Sequence, residues 1–346
     1  MRRLLFIMII VFSLCIPVKA IDITPPDAPE SAQPYMPKNT ESFSDGLWYI
    51  IKASITALNP SLAAGAKSCL AVLCIMLLVS VTDQFTKASP QIMRMVGIVA
   101  VGVVLFEPTN ALVQLGTDAI QEINEYGKVL LPAMTAAFAA EGSITGSAAL
   151  YTATTLFNSL LTAAISSLII PMIYIFLCLS VASHGIGDAS LQKLKDFCKW
   201  LMTWTLKIIL YIFTGYISIT GIVSGAADAS ALKAAKLTIS GMVPVVGNIL
   251  SDASEAVLVS AGLMKNAVGI YGLLAILACC MTPFIRIGVQ YLLLKITTSV
   301  AAIFSKKSTV DFIQDFSGAL GLLLGATASV CLLLLISTVC FMKGFG

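Results

Sequence analysis

The chain has 346 residues, of which 58% are hydrophobic and 11% charged, with a formal net charge of +3. A soluble domain carries about 25% charged residues, so this composition cannot cover a water-facing surface and excludes a string of soluble domains. The charge is weak and no basic tract beyond the first residues is longer than Lys306-Lys307, which excludes nucleic acid as a partner and leaves the lipid bilayer as the main one.

Met1–Ala20 reads as a secretory signal peptide. Arg2 and Arg3 supply the positive start, Leu4–Ile16 the apolar core, and Val18 and Ala20 the small residues at a cleavage site. The alternative is an uncleaved anchor helix, for which the apolar core is short. Ile21–Thr40 then carries Pro25, Pro26, Pro29, Pro34 and Pro37. Prolines at this density cannot make a helix or a sheet interior. The spacing predicts an exposed, extended, exported arm, which with its lead-in occupies residues 21–61 ahead of a membrane domain over 62–346.

A first span over Leu62–Val81 brings the chain inward, so Lys87 and Arg94 lie inside. Met95–Phe106 starts a return span, with Arg94 snorkelling at its edge. Glu107, Asp118, Glu122 and Glu125, set against Lys128 alone, predict an outside loop by the positive-inside rule. Gly142–Ser183 then runs 42 residues without a charged side chain, enough for two crossings of about 20 residues each. Lys193, Lys195, Lys199 and Lys207 follow and must be inside, so parity allows one crossing, near Leu156–Cys178. Val129–Thr155 ahead of it is expected to lie in the interface or dip in and out. Leu201–Ser224 leads outward and Asn266–Ile285 inward. Arg286, Lys295, Lys306 and Lys307 mark the inside, and Gly318–Met342 exits.

The predicted fold is an all-α, polytopic membrane helical bundle of six spans, or seven or eight if Val129–Ala140 or Ile287–Phe304 also crosses. None of the six predicted spans contains Asp or Glu. Ionisable residues inside a span are the usual mark of an ion pathway, so their absence counts against an ion-coupled pump.

Pro132 and Pro171 are 39 residues apart, as are Pro244 and Pro283. The pattern suggests a direct repeat over about residues 129–224 and 241–342, of the kind found in transporters, with Pro132, Pro171 and Pro283 as kink points. Gly221-x-x-x-Gly225 and Gly321-x-x-x-Gly325 allow close helix approach, either within the chain or between copies.

Chemical motifs are few. The sequence has no G-x-x-x-x-G-K-[ST] and no H-E-x-x-H, so neither nucleotide-driven nor zinc-protease chemistry is written in it. Most cysteines sit in apolar runs, where they behave as small hydrophobes, and the single histidine, His184, cannot complete a Cys/His zinc site. His184 is expected in a loop at the inner membrane edge. No catalytic residue, cofactor or metal is expected, and the chain is read as a non-enzyme.

The most distinctive stretch is Ile239–Leu258, continuing through Gly262–Gly272. Gly241, Pro244 and Gly247 break a helix and leave backbone groups in need of partners. Ser251 or Asp252 can cap a new helix, with Glu255 at capping-box spacing from Asp252, and Lys265-Asn266 interrupts the next apolar run. Together Gly241, Pro244, Gly247, Asp252, Glu255, Lys265 and Asn266 outline a re-entrant hairpin lining a cavity or an interface.

In its wording this stretch resembles the stage III sporulation protein AE family of endospore-forming bacteria, relative to which the exported arm is short. The resemblance implies a non-catalytic subunit of a secretion-like channel complex linking mother cell and forespore and required for spore formation. It places the chain as a multi-pass protein of the mother-cell membrane surrounding the forespore. Implied partners are other membrane subunits, ring-forming subunits, a separate ATPase, and a forespore partner across the intermembrane space. The alternative reading from the residues is a small-molecule permease of that same engulfing membrane.

Overall fold

A computed structural model describes residues 25–37, 43–85, 89–140, 144–219 and 267–343. After a short 3-10 turn at Gln33–Tyr35 the described residues form eight α-helices and no strand. In chain order these are α1 (Phe43–Thr56), α2 (Asn59–Phe85), α3 (Pro90–Ala140), α4 (Ile144–Ala164), α5 (Ile170–Ile186), α6 (Ala189–Ile219), α7 (Ala267–Ala301) and α8 (Lys307–Lys343). Among the described residues six helical stretches are long and apolar enough to cross a membrane, which makes the protein an all-α polytopic bundle.

Some prolines start helices here, while Pro108, Pro132 and Pro283 stand inside them. Pro90 opens α3 and Pro60 stands second in α2, where the missing N–H would have had no intrahelical partner anyway. Within the long charge-free run, α4 and α5 form one rod joined by a π-turn at Ile165–Ile169. Pro171 follows immediately and cannot donate to the Ser167 carbonyl, and a π-turn is the local adjustment that accommodates such a gap. The run is therefore one candidate span, Tyr151–Ile186, rather than two.

Helix α8 is the centre. Every residue from Ala319 to Phe341 is buried, among α7, α3, α4, α5 and α6. Its sequence is apolar all round, which suits a helix enclosed on every side. Its small polar residues Thr327, Ser329, Ser337 and Thr338 turn their hydroxyls back onto the carbonyl four residues earlier, so little polarity is left facing the neighbours.

Helix α3 has 51 residues, a length of about 76 Å at 1.5 Å per residue. A bilayer with its headgroups is about 40–45 Å thick, and at the steepest common tilt of about 40° the helix still rises about 58 Å. Part of α3 therefore stands out of the membrane. Among the described residues, six of its seven exposed large apolar side chains, Ile92, Met95, Val96, Val99, Val103 and Phe106, gather in the first third, and Val129 alone lies beyond it, where Glu107, Asp118, Glu125 and Lys128 are exposed.

Several sequence expectations change at this point. Glu107–Lys128 is not a loop: those charges share the exposed side of α3 while Ile120, Ile123, Tyr126 and Leu130 bury the other. Widely spaced charges on one face do not interrupt a helix. Val129–Ala140 is the last part of α3, so it neither crosses separately nor dips. Ile287–Phe304 is no separate span either, because α7 continues unbroken through Pro283 to Ala301. Nor are Pro25–Pro37 an exposed arm. Ala28 and Ala32 are buried, the Ser31 amide donates to Glu122 of α3 at 3.0 Å, and the Ser31 hydroxyl meets Cys279 Sγ of α7 at 3.4 Å. The segment turns through Gln33–Tyr35 with Pro34 inside the turn, and the small residues Ala28 and Ala32 let it pack on the bundle.

Helix α5 ends at Gly187, whose φ of +81° is the left-handed cap that glycine adopts without strain. The Arg94 guanidinium donates to the Ile186 carbonyl at 2.9 Å, and a Cβ on Gly187 would stand 2.7 Å from that side chain. Gly187→Ala is therefore expected to destabilise the protein by about 1–2 kcal/mol from the backbone alone. Thermal unfolding in detergent checks this, and an unchanged midpoint would show that the turn carries no such constraint.

Candidate functional site

Three helices meet around one carboxylate. His184 lies in the last turn of α5, Lys195 six residues into α6, and Asp315 eight residues into α8. The Lys195 ammonium donates to Asp315 Oδ2 at 2.6 Å, the Ser180 hydroxyl to the same oxygen at 2.6 Å, and His184 Nε2 meets it at 2.9 Å. Lys195 Nζ and His184 Nε2 are 3.2 Å apart. The side chains of His184, Lys195 and Asp315 are 8%, 5% and 13% exposed, so the charges are taken out of solvent and depend on one another.

The local sequence explains the convergence. Ser180 and His184 are one turn apart on α5 and share a face. The turn at Gly187 folds α6 back alongside and brings Lys195 to the same level. Phe312, one turn before Phe316, lies edge-on to the His184 ring with centroids 6.1 Å apart and closes the cluster from α8. The Ser308 hydroxyl bonds the His184 carbonyl at 3.3 Å. On α3, a Cβ on Gly102 would stand 3.4 Å from Phe312 and 3.8 Å from Val181, so the cluster lies beside the apolar-belted part of that helix.

Ser180 does not belong to a nucleophilic triad. Its hydroxyl is bonded to the aspartate, whereas a triad needs the serine on the histidine and the histidine between serine and acid. The arrangement binds charge. Other interhelical polar pairs accompany it: Tyr174–Asn110 at 2.7 Å, Asn158–Asn124 at 2.7 Å and Thr154–Ser337 at 3.0 Å. Such pairs average about 0.6 kcal/mol in a membrane protein, so they orient helices more than they stabilise them. At the same end of the bundle as Gly187, Lys306 pairs with Asp83 at 2.6 Å, and a cavity of about 40 Å³ opens beside that pair and Arg94.

This cluster overturns two expectations. Helix α8 begins at Lys307, not near Gly318, so Asp311 and Asp315 both belong to the candidate span Lys307–Phe341. Span ends drawn at the first charge are drawn too short when the charge is neutralised across helices. His184 is likewise a buried helical residue and not a loop residue. The signals in the sequence were the i, i+4 pairs Ser180/His184 and Asp311/Asp315 flanking apolar runs.

The hairpin residues Gly241, Pro244, Gly247, Asp252, Glu255, Lys265 and Asn266 lie outside the described residues, as do Gly221 and Gly225. The second copy of the suggested repeat also begins there. Gly321 and Gly325 are buried in α8, Pro132 and Pro283 stand inside α3 and α7, and Pro171 stands second in α5. None of these is brought to the Asp315 cluster.

The family model described as Stage III sporulation protein AE matches residues 38–344. A relative from Bacillus subtilis (strain 168), "Stage III sporulation protein AE", is 25% identical over 178 residues, covering 51% of this chain and 45% of that protein. The match thus spans less than half of that relative's own length. No solved structure matches the chain. With the family model covering all of the bundle from α1 to α8, the chain belongs to the stage III sporulation protein AE family.

Proposed function

We propose that the chain is a non-catalytic membrane subunit of a sporulation channel complex linking mother cell and forespore. In this reading it sits in the mother-cell membrane around the forespore. It works with other membrane subunits, ring-forming subunits, a separate ATPase and a forespore partner. Family membership supports the sporulation role. The observation that supports a subunit role is the filled centre: among the described residues α8 is buried from Ala319 to Phe341, which favours a solute route shared between chains. A subunit of that kind needs neighbours to make a conduit.

The test is affinity purification from sporulating cells under mild detergent, with partners identified by mass spectrometry. Recovery of further membrane subunits and an ATPase is the expected result. The permease alternative is favoured by the buried Asp315 cluster, since ionisable groups inside a span commonly mark ion or substrate paths. If the protein is recovered alone and the pure chain moves a small solute across liposomes, the subunit reading fails and the permease reading replaces it.

A further inference from the structure

The Asp315 cluster is balanced for one protonation state. A carboxylate only accepts, so the His184 Nε2 facing it carries the ring proton and Nδ1 is left as the ring's basic atom. With Lys195 an ammonium and Asp315 a carboxylate, the net charge is then zero. Lys195 Nζ and His184 Nε2 are two donors 3.2 Å apart, held together only by the oxygen they share. Histidine is the side chain that ordinarily changes charge near neutral pH.

A second proton on the ring places two full cations on one carboxylate oxygen in a poorly solvated site. His184 is fixed by its helix, by Phe312 and by the Ser308 contact to its carbonyl. Lys195 sits on a long stem on α6, so it is the cation free to leave. We propose that this cluster is a proton-binding site, in which uptake of one proton at His184 Nδ1 expels the Lys195 ammonium from Asp315 and releases the first turns of α6 from α8. The step adds one proton from solvent and takes the cluster from net zero to +1. No covalent bond to any other atom forms or breaks. The site operates in a lone chain as in an assembled complex, whichever function the chain serves.

The surrounding charges leave room for this exchange. Helix α8 also carries Asp311, one turn before Asp315 and half-buried. On α6, Lys193, Asp196 and Lys199 are exposed, and the Lys199 amine reaches Gly318 of α8. Asp188 accepts from the Ser190 amide. Helix α3 brings Arg94, engaged by the Ile186 carbonyl. Arg286 and Lys295 of α7 are exposed, and α4 has no charged residue.

The experiment uses the full chain in nanodiscs on a Trp48→Phe background, so that Trp200 and Trp204, both on the exposed side of α6, are the remaining tryptophans. His184 is the chain's one histidine, so its ring signal in NMR is unambiguous. On acidification the ring signal should report the uptake of one proton. In step with it, tryptophan emission should shift and amide exchange over residues 189–199 should rise. His184→Gln should abolish both changes with the helical content kept. Lys195→Met should keep the histidine titration and lose the α6 movement, which preserves the test if His184→Gln fails to fold. A silent ring and flat emission in the wild type, or an unchanged emission shift in either variant, would overturn the proposal.

Discussion

Asp315→Asn is expected to be among the most damaging conservative changes in the chain, costing about 3–5 kcal/mol, because it strands the buried Lys195 ammonium without its counter-charge. The companion result is more telling. Adding Lys195→Met removes the stranded charge and should recover most of the loss, since an apolar replacement of a buried ion pair is often neutral in stability. Thermal unfolding of the wild type and the two variants in one detergent measures both effects. An Asp315→Asn protein as stable as wild type would mean that the pair is not buried in the way the geometry requires. Spore yield adds a second reading: if the ions serve only to hold helices together, the stable double variant sporulates, and if they bind protons in function, it folds and does not.

Phe316→Ala tests the centre of the bundle. Phe316 is 1% exposed and stands edge-on to Phe312 at 5.2 Å, which in turn closes over His184. Removing a buried aromatic ring typically costs about 3–5 kcal/mol, since the enclosing helices cannot collapse into the space. Leu78→Ala on α2 is the control. Leu78 is 67% exposed on a candidate span, so truncation leaves no cavity and should cost within about 0.5 kcal/mol. Equal losses at the two positions would contradict the burial of α8.

The bundle was readable from the sequence because length and lack of charge leave few alternatives for such segments. Six spans, one of them within Gly142–Ser183, follow from span length and the sidedness of lysines. The boundaries were not readable, and the reason is physical. Lys195 and Asp315 interact across 120 residues of sequence, so each looks like the hydrophilic end of a helix until the other is placed beside it. The same holds for Glu107–Lys128, where polarity marks one side of a helix that keeps going. Pro25–Pro37 looked free because docking through small residues such as Ala28 and Ala32 leaves no periodic pattern. The stretch from Gly241 to Asn266 carries the resemblance to the family, and the hairpin expected there lies outside the described residues.

The burial of α8 also has a consequence for biosynthesis. The helix around which the others pack is translated after all of them. Lys195 leaves the ribosome 120 residues before Asp315, which at about 5–20 residues per second is a wait of about 6–24 s. During that interval the earlier helices lack the partner they share in the finished bundle, and Lys195 lacks the carboxylate of Asp315. The last described helix is thus a keystone, the packing partner shared by α3, α4, α5, α6 and α7, and it is made after all of them.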